Sequence, residues 1–233
     1  MRPKLLSWVG ISNLLIIGLP QGWFVCMTTF PARPYSNIAD YYSDYSARIV
    51  QALASVDTRQ LERANEILAE TIDHDRQIFS CGNGGSAAIA NHLVCDHARG
   101  ICNLTGLRPR VQSLSSNIEI ITAIANDASY ADVFCHQLDL MARPGDALIT
   151  ISSSGDSENV VRAIAHARAN GIATIAMTGF SGGRSATGAD VNIHVDADNY
   201  GVIEDVHQSL MHVLAQFIRQ SHLSPATIAQ SRF

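Results

Sequence analysis

Two segments of the sequence each carry a histidine and a carboxylate at spacings suited to acid–base or metal chemistry. His92 and Asp96 are four residues apart, so on a helix they lie on one face. An imidazole and a carboxylate at this spacing can bind one divalent cation together. Glu204 and His212 roughly share a face, but eight residues separate them by about 12 Å along a helix. All four can bind one ion only if their side chains lean together or if two subunits contribute.

Two short turns rich in glycine and serine are suited to a phosphate group. The first spans Cys81–Ser86 and the second spans Ser152–Ser157. Each follows an apolar, strand-like run and precedes a helical pattern. Backbone N–H groups at a helix N-terminus, the helix dipole and nearby hydroxyls all favour an anion there. The four serines of the second turn suit a terminal phosphate monoester.

Nucleotide-binding motifs fit these turns poorly. The spacing of Gly82, Gly84 and Gly85 resembles a dinucleotide fingerprint, which requires an acidic residue about 20 residues further on, at the end of the second strand. The predicted second strand ends instead in serines and a leucine, and the chain has no Gly-Lys-Ser/Thr sequence of a P-loop. A serine-rich turn that only caps a helix is the remaining structural alternative. The presence of two such turns favours a phosphate ligand.

Apolar periodicity predicts the elements that position these residues. The predicted strands are Gln77–Cys81, Arg110–Leu114, Ala147–Ile151, Ala173–Thr178 and Val191–Val195. The predicted helices are Ile38–Leu53, one capped by Asp57, Ser86–Arg99, Asn117–Ala125, Ala131–Ala142, Glu158–Asn170, a short one near Gly183, and Ile203–Arg219. The segment Ser116–Glu119 resembles a capping box. The alternation predicts a parallel sheet with helices on both faces, in which ligands bind beyond the carboxyl ends of the strands.

Length and composition indicate one α/β domain with additions at both ends. Of the 233 residues, 47% are hydrophobic and 16% are charged, which allows a substantial core. We place the domain at residues 36–222, an N-terminal extension outside the fold at 1–35, and a C-terminal tail at 223–233. A net charge of −5 without a basic stripe argues against nucleic acid as a partner. Five scattered cysteines indicate reduced thiols and a cytoplasmic location.

The N-terminal extension has three explanations. Arg2 and Lys4 precede an apolar run from Leu5 to Leu19. The run lacks a small-x-small cleavage site, and it is too short and too interrupted for a typical membrane span. A true translation start at Met27, a genuine apolar extension and export all stay open. We favour the start at Met27 and no membrane partner, because a phosphorylated ligand is found in the cytosol.

Four segments together resemble the sugar isomerase (SIS) domains, and their arrangement most resembles that of the phosphoheptose isomerases. These segments are Cys81–Ser86, Ala125–Asp127, Ile151–Ser157 and Thr178–Gly183. The similarity runs from about Tyr41 to Gln220. It implies a flavodoxin-like, three-layer fold with five parallel strands, and a homotetramer with active sites near subunit interfaces. It also implies interconversion of D-sedoheptulose 7-phosphate and D-glycero-D-manno-heptose 7-phosphate through an enediol.

The resemblance also implies roles for individual residues. The group that holds the sugar phosphate is Ser152, Ser153, Ser154 and Ser157. The residues that line the rest of the ligand site are Asn83, Gly84, Ser86 and Asp127. The acid–base and metal-binding set, which binds zinc in many members, is His92, Asp96, Glu204 and His212. We expect Asp96 to be the base, His212 the complementary acid–base group, and a divalent metal the polarising centre. Glu204 replaces Asp96 as base if Asp96 is committed to the metal.

Two of these residues depart from the commonest family pattern. Asp96 stands where a glutamate is usual, and Glu204 stands where a glutamine is usual. A misplacement of about 1 Å can reduce a rate on the order of 100-fold, so the shorter Asp96 matters. Alternatives are an isomerase of another phosphosugar, or a non-catalytic SIS protein that binds a sugar phosphate or the replication initiator DnaA. The initiator-binding relatives lack the first-helix carboxylate, so Asp96 together with His212 favours an enzyme.

Overall fold

The computed structural model describes residues 29–232. The predictions for the apolar run and for Met27 therefore lie outside the described residues. Within the described part, five parallel strands form one sheet in the order β2-β1-β3-β4-β5. The strands are β1 (Gln77–Gly82), β2 (Arg110–Ser113), β3 (Ala147–Ser152), β4 (Ala173–Thr178) and β5 (Val191–His194). This is the flavodoxin-like order, whose switch point lies between β1 and β3.

Helices cover both faces of the sheet. They are α1 (Ile38–Ala54), α2 (Thr58–Asp73), α3 (Gly85–Val94), α4 (Ile118–Asp127), α5 (Cys135–Met141), α6 (Glu158–Ala169), α7 (Gly183–Gly188), α8 (Tyr200–Ser221) and α9 (Pro225–Gln230). The predicted flavodoxin-like, three-layer fold with two preceding helices is confirmed. No helix within residues 29–232 combines the length and the apolar character needed to cross a bilayer.

The core has two layers, one on each side of the sheet. Because side chains alternate along a strand, Ile78 of β1 faces the layer formed with α1, α2, α3 and α8, whereas Phe79 faces the layer formed with α5 and α6. Ile149 and Leu148 of β3 divide in the same way. Burial on both faces explains the continuous apolar runs seen in the sequence. It also fixes α3 and α8 side by side on one face.

The predicted cap of α2 is correct, since the Asp57 side chain accepts from the Arg59 N–H. Three other local predictions need correction. The cap of α4 is Asn117, not Ser116: Asn117 accepts from the Ile120 N–H, while the Ser116 hydroxyl donates to the carbonyl of Ser113. The single helix predicted over residues 131–142 is instead a 3₁₀ turn (Tyr130–Asp132) followed by α5. The helix predicted over residues 86–99 changes at Cys95 into a π-helical turn.

Both predicted ends of the domain shift outward. The buried ring of Phe30 packs against Tyr41 and Tyr45 of α1, and its carbonyl accepts from the Asn199 side chain. The boundary placed at residue 35 therefore moves toward the N-terminus. At the other end, the predicted tail contains α9, and the carbonyl of Arg232 accepts from the buried Arg219. These flanking residues pack against α1 and hydrogen-bond to residues at the two ends of α8.

Candidate active site

Three side chains from α3, the π-helical turn and α8 meet at one point. Asp96 Oδ2 lies 3.0 Å from His212 Nε2 and 3.3 Å from His92 Nε2. The two imidazole nitrogens are 3.4 Å apart. Among the described residues, these three offer ligand atoms that all lie within 4.8 Å of one another. The structure thus brings together His92, Asp96 and His212 of the four residues predicted to bind metal.

The π-helical turn Cys95–Gly100 sets the position of Asp96. A π-helical turn inserts one residue into a helix and is frequent at functional sites. The next residue, His97, is fully buried, and its Nε2 lies 3.3 Å from the carbonyl oxygen of Met211. Met211 directly precedes His212 on α8. This contact therefore ties the turn that bears Asp96 to the helix that bears His212.

Glu204, the fourth predicted metal ligand, is not part of the cluster. It lies two turns before His212 on α8, and its carboxylate lies against Gly85 at the start of α3. A Cβ atom on Gly85 would come within 2.3 Å of Glu204 Oε2. Burial raises the pKa of the Glu204 carboxyl, and the neighbouring Asp205 charge raises it further. Glu204 and His212 are therefore separated in the fold, as expected from their spacing of eight residues on one helix.

Gln208 is a neighbour of the cluster that sequence reasoning missed. Its amide nitrogen lies 3.0 Å from His212 Nε2. Gln208 precedes His212 by four residues, so the two share one face of α8. The only signal in the sequence was this spacing, and a glutamine four residues from a histidine is too common to be informative.

The cluster opens onto one cleft of about 250 Å³. Its lining residues are His92, Asp96, Gly100, His212, Ala215, Gln216 and Arg219. Asp96 and His212 therefore face the same space, as acid–base partners must. No residue of the two glycine- and serine-rich turns lines this cleft in the described part of the chain.

Two other histidines are structural. His97 and His207 were predicted to face away from the cluster, and both are fully buried. His207 Nε2 lies 3.2 Å from the carbonyl of Thr178, and Thr178 also contacts His194 through its hydroxyl. Burial lowers the pKa of His207 to about 4. His207 is therefore neutral at physiological pH and belongs to the packing of α8 on the sheet.

The second turn, Ser152–Ser157, leads from β3 into α6. Ser152 is buried and its hydroxyl accepts from the Gly155 N–H, which closes the turn. The buried Ser153 hydroxyl receives no hydrogen bond from any described residue. Ser157 is the N-cap residue of α6, yet among the described residues its side chain makes no capping bond. Ser154 is half-buried. The turn thus has hydroxyl groups available to a ligand at the start of a helix.

The segment after β4 packs against the second turn and hydrogen-bonds to it. The Gly179 N–H donates to the Ser153 carbonyl at 2.9 Å, and the Ser185 N–H donates to the Gly155 carbonyl at 2.9 Å. Gly155 has a φ of +68°, and a Cβ there would lie 1.9 Å from the carbonyl oxygen of Gly182. The glycines permit a close approach between the two segments, and this approach fixes the turn.

Arg184, in the segment after β4, forms ion pairs with carboxylates of the second turn and of α6. Arg184 donates from its backbone and its guanidinium to Asp156, and also bonds Glu158. Hydrogen bonds from Arg184 lower the pKa of the Asp156 carboxyl, while those from Arg162 and then Arg184 lower the pKa of the Glu158 carboxyl. The carboxylate of Asp156, which sits in the predicted phosphate-binding turn, is thereby neutralised by a partner.

Side-chain amides join the first turn to the start of α6, which follows the second turn. Asn83 and Asn159 exchange two hydrogen bonds of 2.9 Å, and the Tyr130 hydroxyl donates to Asn83. Asn159 and Tyr130 were not predicted, since nothing in their local sequence marks them. Gly84 has a φ of +55°, and Ser86 is buried in the first turn of α3. Asp127, at the exposed end of α4, accepts from Asn126 rather than from either turn.

Comparisons with known proteins agree with this architecture. The family model of the SIS domain matches residues 41–179. The phosphoheptose isomerase of Akkermansia muciniphila is 36% identical over 172 residues, which cover 73% of this chain and 89% of that protein. That of Mycobacterium tuberculosis is 39% identical over 155 residues, which cover 64% of this chain and 76% of the relative.

A solved structure gives the same result. The phosphoheptose isomerase of Neisseria gonorrhoeae matches with a TM-score of 0.70 at 30% identity, covering 78% of this chain and 96% of that one. The domain match spans more than half of the chain, and the relatives share more than a third of the aligned residues. This chain therefore belongs to the SIS-domain family, among the phosphoheptose isomerases.

Proposed function

We propose that this protein interconverts D-sedoheptulose 7-phosphate and D-glycero-D-manno-heptose 7-phosphate. Membership in the phosphoheptose isomerases supports the substrate class. The single observation that carries the reaction is the contact of Asp96 with His212 in one cleft. Aldose–ketose exchange needs a base and an acid that reach neighbouring carbon and oxygen atoms, and this pair supplies both.

The second turn is proposed to hold the phosphate. Ser152, Ser153, Ser154 and Ser157 offer hydroxyl groups, and the α6 N-terminus adds backbone N–H groups and a favourable dipole. Asn83, Gly84 and Ser86 of the first turn, with Asp127 nearby, are proposed to line the rest of the ligand site. The phosphate lies far from the reacting carbons, so its binding energy serves to orient them.

Proton transfer then follows from the cluster. Asp96 removes a proton from C1 of the ketose, which moves the double bond between C1 and C2 and gives an enediol. The same carboxylic acid returns the proton to C2. His212 carries the hydroxyl proton from O1 to O2, so that an aldehyde forms at C1 and a hydroxyl forms at C2. An imidazole suits this role because one ring nitrogen can donate a proton while the other accepts one.

The donor set of the cluster fits a divalent metal such as zinc. Two imidazoles and a carboxylate with an open fourth position are a common arrangement in catalytic zinc sites. His92, Asp96 and His212 would hold the ion, and its positive charge would stabilise the enediolate oxygen. With an ion bound, the Nε2 atom of His212 would be a ligand and not the proton carrier, and Asp96 would act as base through its second carboxylate oxygen. Glu204 points toward Gly85, so within the cluster Asp96 is the available carboxylate base.

The non-catalytic alternative is less well supported. A protein that only binds a sugar phosphate or DnaA has no need for a carboxylate held between two imidazoles. That arrangement is maintained here by a π-helical turn anchored on α8. We also propose a homotetramer in the cytoplasm with active sites at subunit interfaces, because the phosphate-binding turn does not line the cleft of the cluster in a single chain.

The experiment is a product assay with purified protein. Incubation with sedoheptulose 7-phosphate, with and without added zinc, should yield the aldoheptose 7-phosphate, separated by anion-exchange chromatography. Unphosphorylated sedoheptulose is the matched control and should react far more slowly. If the protein leaves sedoheptulose 7-phosphate unchanged but converts another ketose phosphate into its aldose phosphate, it is an isomerase of that other phosphosugar. Binding without any product would support the regulatory alternative.

A further inference from the structure

We propose that Arg184 is a positioning residue for the sugar phosphate and acts through Asp156 of the second turn. It neutralises the Asp156 carboxylate beside the bound phosphate, and it fixes the peptide group that leads into α6. This inference rests on the proposed function in one respect, because it takes the second turn to be the phosphate site. It gives the segment after β4 a direct part in substrate affinity.

Asp156 presents an electrostatic problem for a phosphate-binding turn. It is the only acidic residue among the serines and the glycine of the second turn. A phosphate monoester carries about 1.5 to 2 negative charges near neutral pH. An unpaired carboxylate next to Ser157 and two residues from Ser154 would repel such a group. The turn therefore needs a cation on Asp156 if it is to hold a phosphate well.

Arg184 supplies this cation through four hydrogen bonds. Its backbone N–H and its Nε donate to Oδ1 of Asp156 at 3.0 and 3.1 Å, and its Nη2 donates to the Asp156 carbonyl oxygen at 2.8 Å. Its Nη1 donates to Oε2 of Glu158 at 2.8 Å. Most exposed ion pairs are held loosely, but a planar guanidinium with several partners is fixed in one orientation. The positive charge therefore stays on the Asp156 carboxylate.

The backbone at Gly183 allows the carboxylate to come this close. Gly183 has a φ of +53°, and a Cβ atom there would lie 2.8 Å from Cγ of Asp156. The Asp156 side chain is therefore packed against the start of α7, where the Arg184 N–H and guanidinium receive it. A side chain at position 183 would push the carboxylate out of this place.

The bond to the Asp156 carbonyl also orients the amide that follows. In a planar trans peptide group, the C=O and the N–H point in opposite directions. Because Arg184 binds the carbonyl oxygen, the Ser157 N–H points to the side opposite Arg184. Ser157 is the N-cap residue of α6, and the N–H groups at a helix start are those that an anion binds. Arg184 thus helps to present a donor for the phosphate.

A second arginine provides a matched control within the same group of charges. Arg162 donates to Glu158 and to Asp132 at 2.8 Å each. The charges therefore alternate from Asp156 through Arg184, Glu158 and Arg162 to Asp132. Arg162 belongs to this series, yet both of its ion-pair partners among the described residues lie outside the second turn. Removal of its charge should leave the turn as it is.

Binding of a sugar phosphate that cannot react tests the proposal. A heptitol 7-phosphate keeps the phosphate but has no carbonyl, and isothermal titration calorimetry on the full-length protein gives its dissociation constant. Arg184→Met keeps an unbranched side chain but removes its charge and its donors. It should raise the dissociation constant on the order of 10-fold. The increase should be smaller at about 1 M salt, where charges more than about 3 Å apart are screened.

A second substitution separates the charge effect from a general loss of structure. Asp156→Asn added to Arg184→Met removes the unpaired carboxylate and should recover most of the lost affinity. Asp156→Asn alone should bind the heptitol 7-phosphate at least as tightly as the wild type. Arg162→Met should change the dissociation constant by less than about 3-fold, since an exposed ion pair outside the turn contributes little.

The outcomes distinguish this inference from the proposed phosphate site. If Arg184→Met binds like the wild type, or if the double variant is as weak as Arg184→Met, the role of Arg184 is wrong. Ser154→Ala tests the turn itself. If Ser154→Ala also binds like the wild type, the second turn is not the phosphate site and the inference fails with it. If Ser154→Ala alone weakens binding, the site stands without the role of Arg184. The product assay judges the isomerase function separately.

Discussion

Asp96 carries more of the proposed chemistry than any other side chain. One of its carboxylate oxygens lies within 3.3 Å of the Nε2 atoms of both His92 and His212. The carboxylate is therefore held in place by two rings, and each ring is positioned by a different helix. Asp96 is one methylene shorter than the glutamate of the commonest family pattern. Asp96 nevertheless reaches both rings from the π-helical turn that bears it.

Replacing Asp96 by Asn should separate catalysis from binding. The amide keeps the shape of the side chain but cannot accept a proton, so kcat should fall on the order of 100- to 10,000-fold. KM for sedoheptulose 7-phosphate should change little, because the phosphate is bound elsewhere. Asp96→Glu keeps the carboxylate and should retain more activity than Asp96→Asn. Steady-state kinetics of the three proteins checks this, and equal activity of the wild type and Asp96→Asn would contradict it.

His207 should make the folded state sensitive to acid. Its pKa is lowered from 6.5 to about 4 by burial, so the unfolded chain takes up a proton at a higher pH than the folded chain. The contribution of neutral His207 to the stability of the folded state is complete above pH 6.5 and is lost as the pH falls toward 4. The loss amounts to about 3 kcal/mol in the free energy of unfolding.

His207→Gln tests this contribution, because its amide can still donate to the Thr178 carbonyl. Urea unfolding is followed at a series of pH values from neutral to acid. The variant should lose less stability over that range than the wild type, even if its stability near neutrality is lower. His97 is present in both proteins and cancels in the comparison. Parallel pH profiles for the two proteins would show that His207 is not the group involved.

Only part of the site could be predicted at the scale of single residues. His92 and Asp96 were recognisable because one helix brings residues four apart together. The position of Glu204 could not be foreseen, since it depends on where the start of α3 meets α8. Asn159 and Tyr130 were missed for the same reason, because their partner Asn83 lies on another element and no local pattern records how elements pack. Gln208 was missed because a glutamine four residues from a histidine is too common to be informative.

At the scale of elements, the two loops after β3 and β4 act as one unit. Gly155 approaches the carbonyl of Gly182 so closely that no side chain fits between them. Hydrogen bonds from Gly179 and Ser185 fix the same pair of segments. The segment Thr178–Gly183, recognised in the sequence by its glycines, therefore positions the phosphate-binding turn from behind.

Gly155→Ala should disturb this unit. The added Cβ must displace the Gly182 carbonyl, and a misplacement of about 1 Å lowers kcat/KM on the order of 100-fold. Gly106→Ala is the matched control, because Gly106 also has a positive φ of +78° but no described atom lies within 4 Å of its Cβ position. It should cost about 1 kcal/mol in stability from the backbone conformation alone, without a kinetic effect. Similar kinetics for both variants would contradict the account.

Most element boundaries followed from the sequence, and the exceptions have physical causes. All five strands were predicted to within one residue, because strands buried on both faces read as short apolar runs bounded by turns. The capping box at Ser116 was wrong because an adjacent asparagine, Asn117, competes for the same role. The π-helical turn has no local signal in the sequence, and its buried residue His97 contacts Met211 of α8, which is distant along the chain.

At the scale of the whole molecule, one face of α1 is left uncovered in the single chain. Ile38, Tyr42 and Val50 are exposed to 79%, 68% and 68%. Exposed apolar side chains on one helix are typical of a surface that packs against another protein. Helices α3 and α8, which bear the cluster and its cleft, pack on the same face of the sheet as α1. A subunit interface here would agree with the proposed homotetramer.

Tyr42→Asp should therefore reduce both assembly and activity. A charge placed in a buried apolar interface is costly, so sedimentation velocity should show a shift from the tetramer toward smaller species. Activity should fall with the tetramer if two chains complete each site. Leu140→Asp is the control, because Leu140 is exposed to 74% on α5, across the sheet from α1. A wild type that sediments as a fully active monomer would contradict the proposal.

Proton exchange with solvent tests the central claim most directly. Sedoheptulose 7-phosphate is incubated with the protein in deuterium oxide and followed by proton NMR spectroscopy. If Asp96 and His212 act on a sugar anchored by its phosphate, deuterium enters C2 of the aldoheptose and, on reversal, C1 of the ketose. Asp96→Asn should abolish this exchange while still binding the sugar phosphate. Undiminished exchange in Asp96→Asn would show that these two side chains do not perform the reaction.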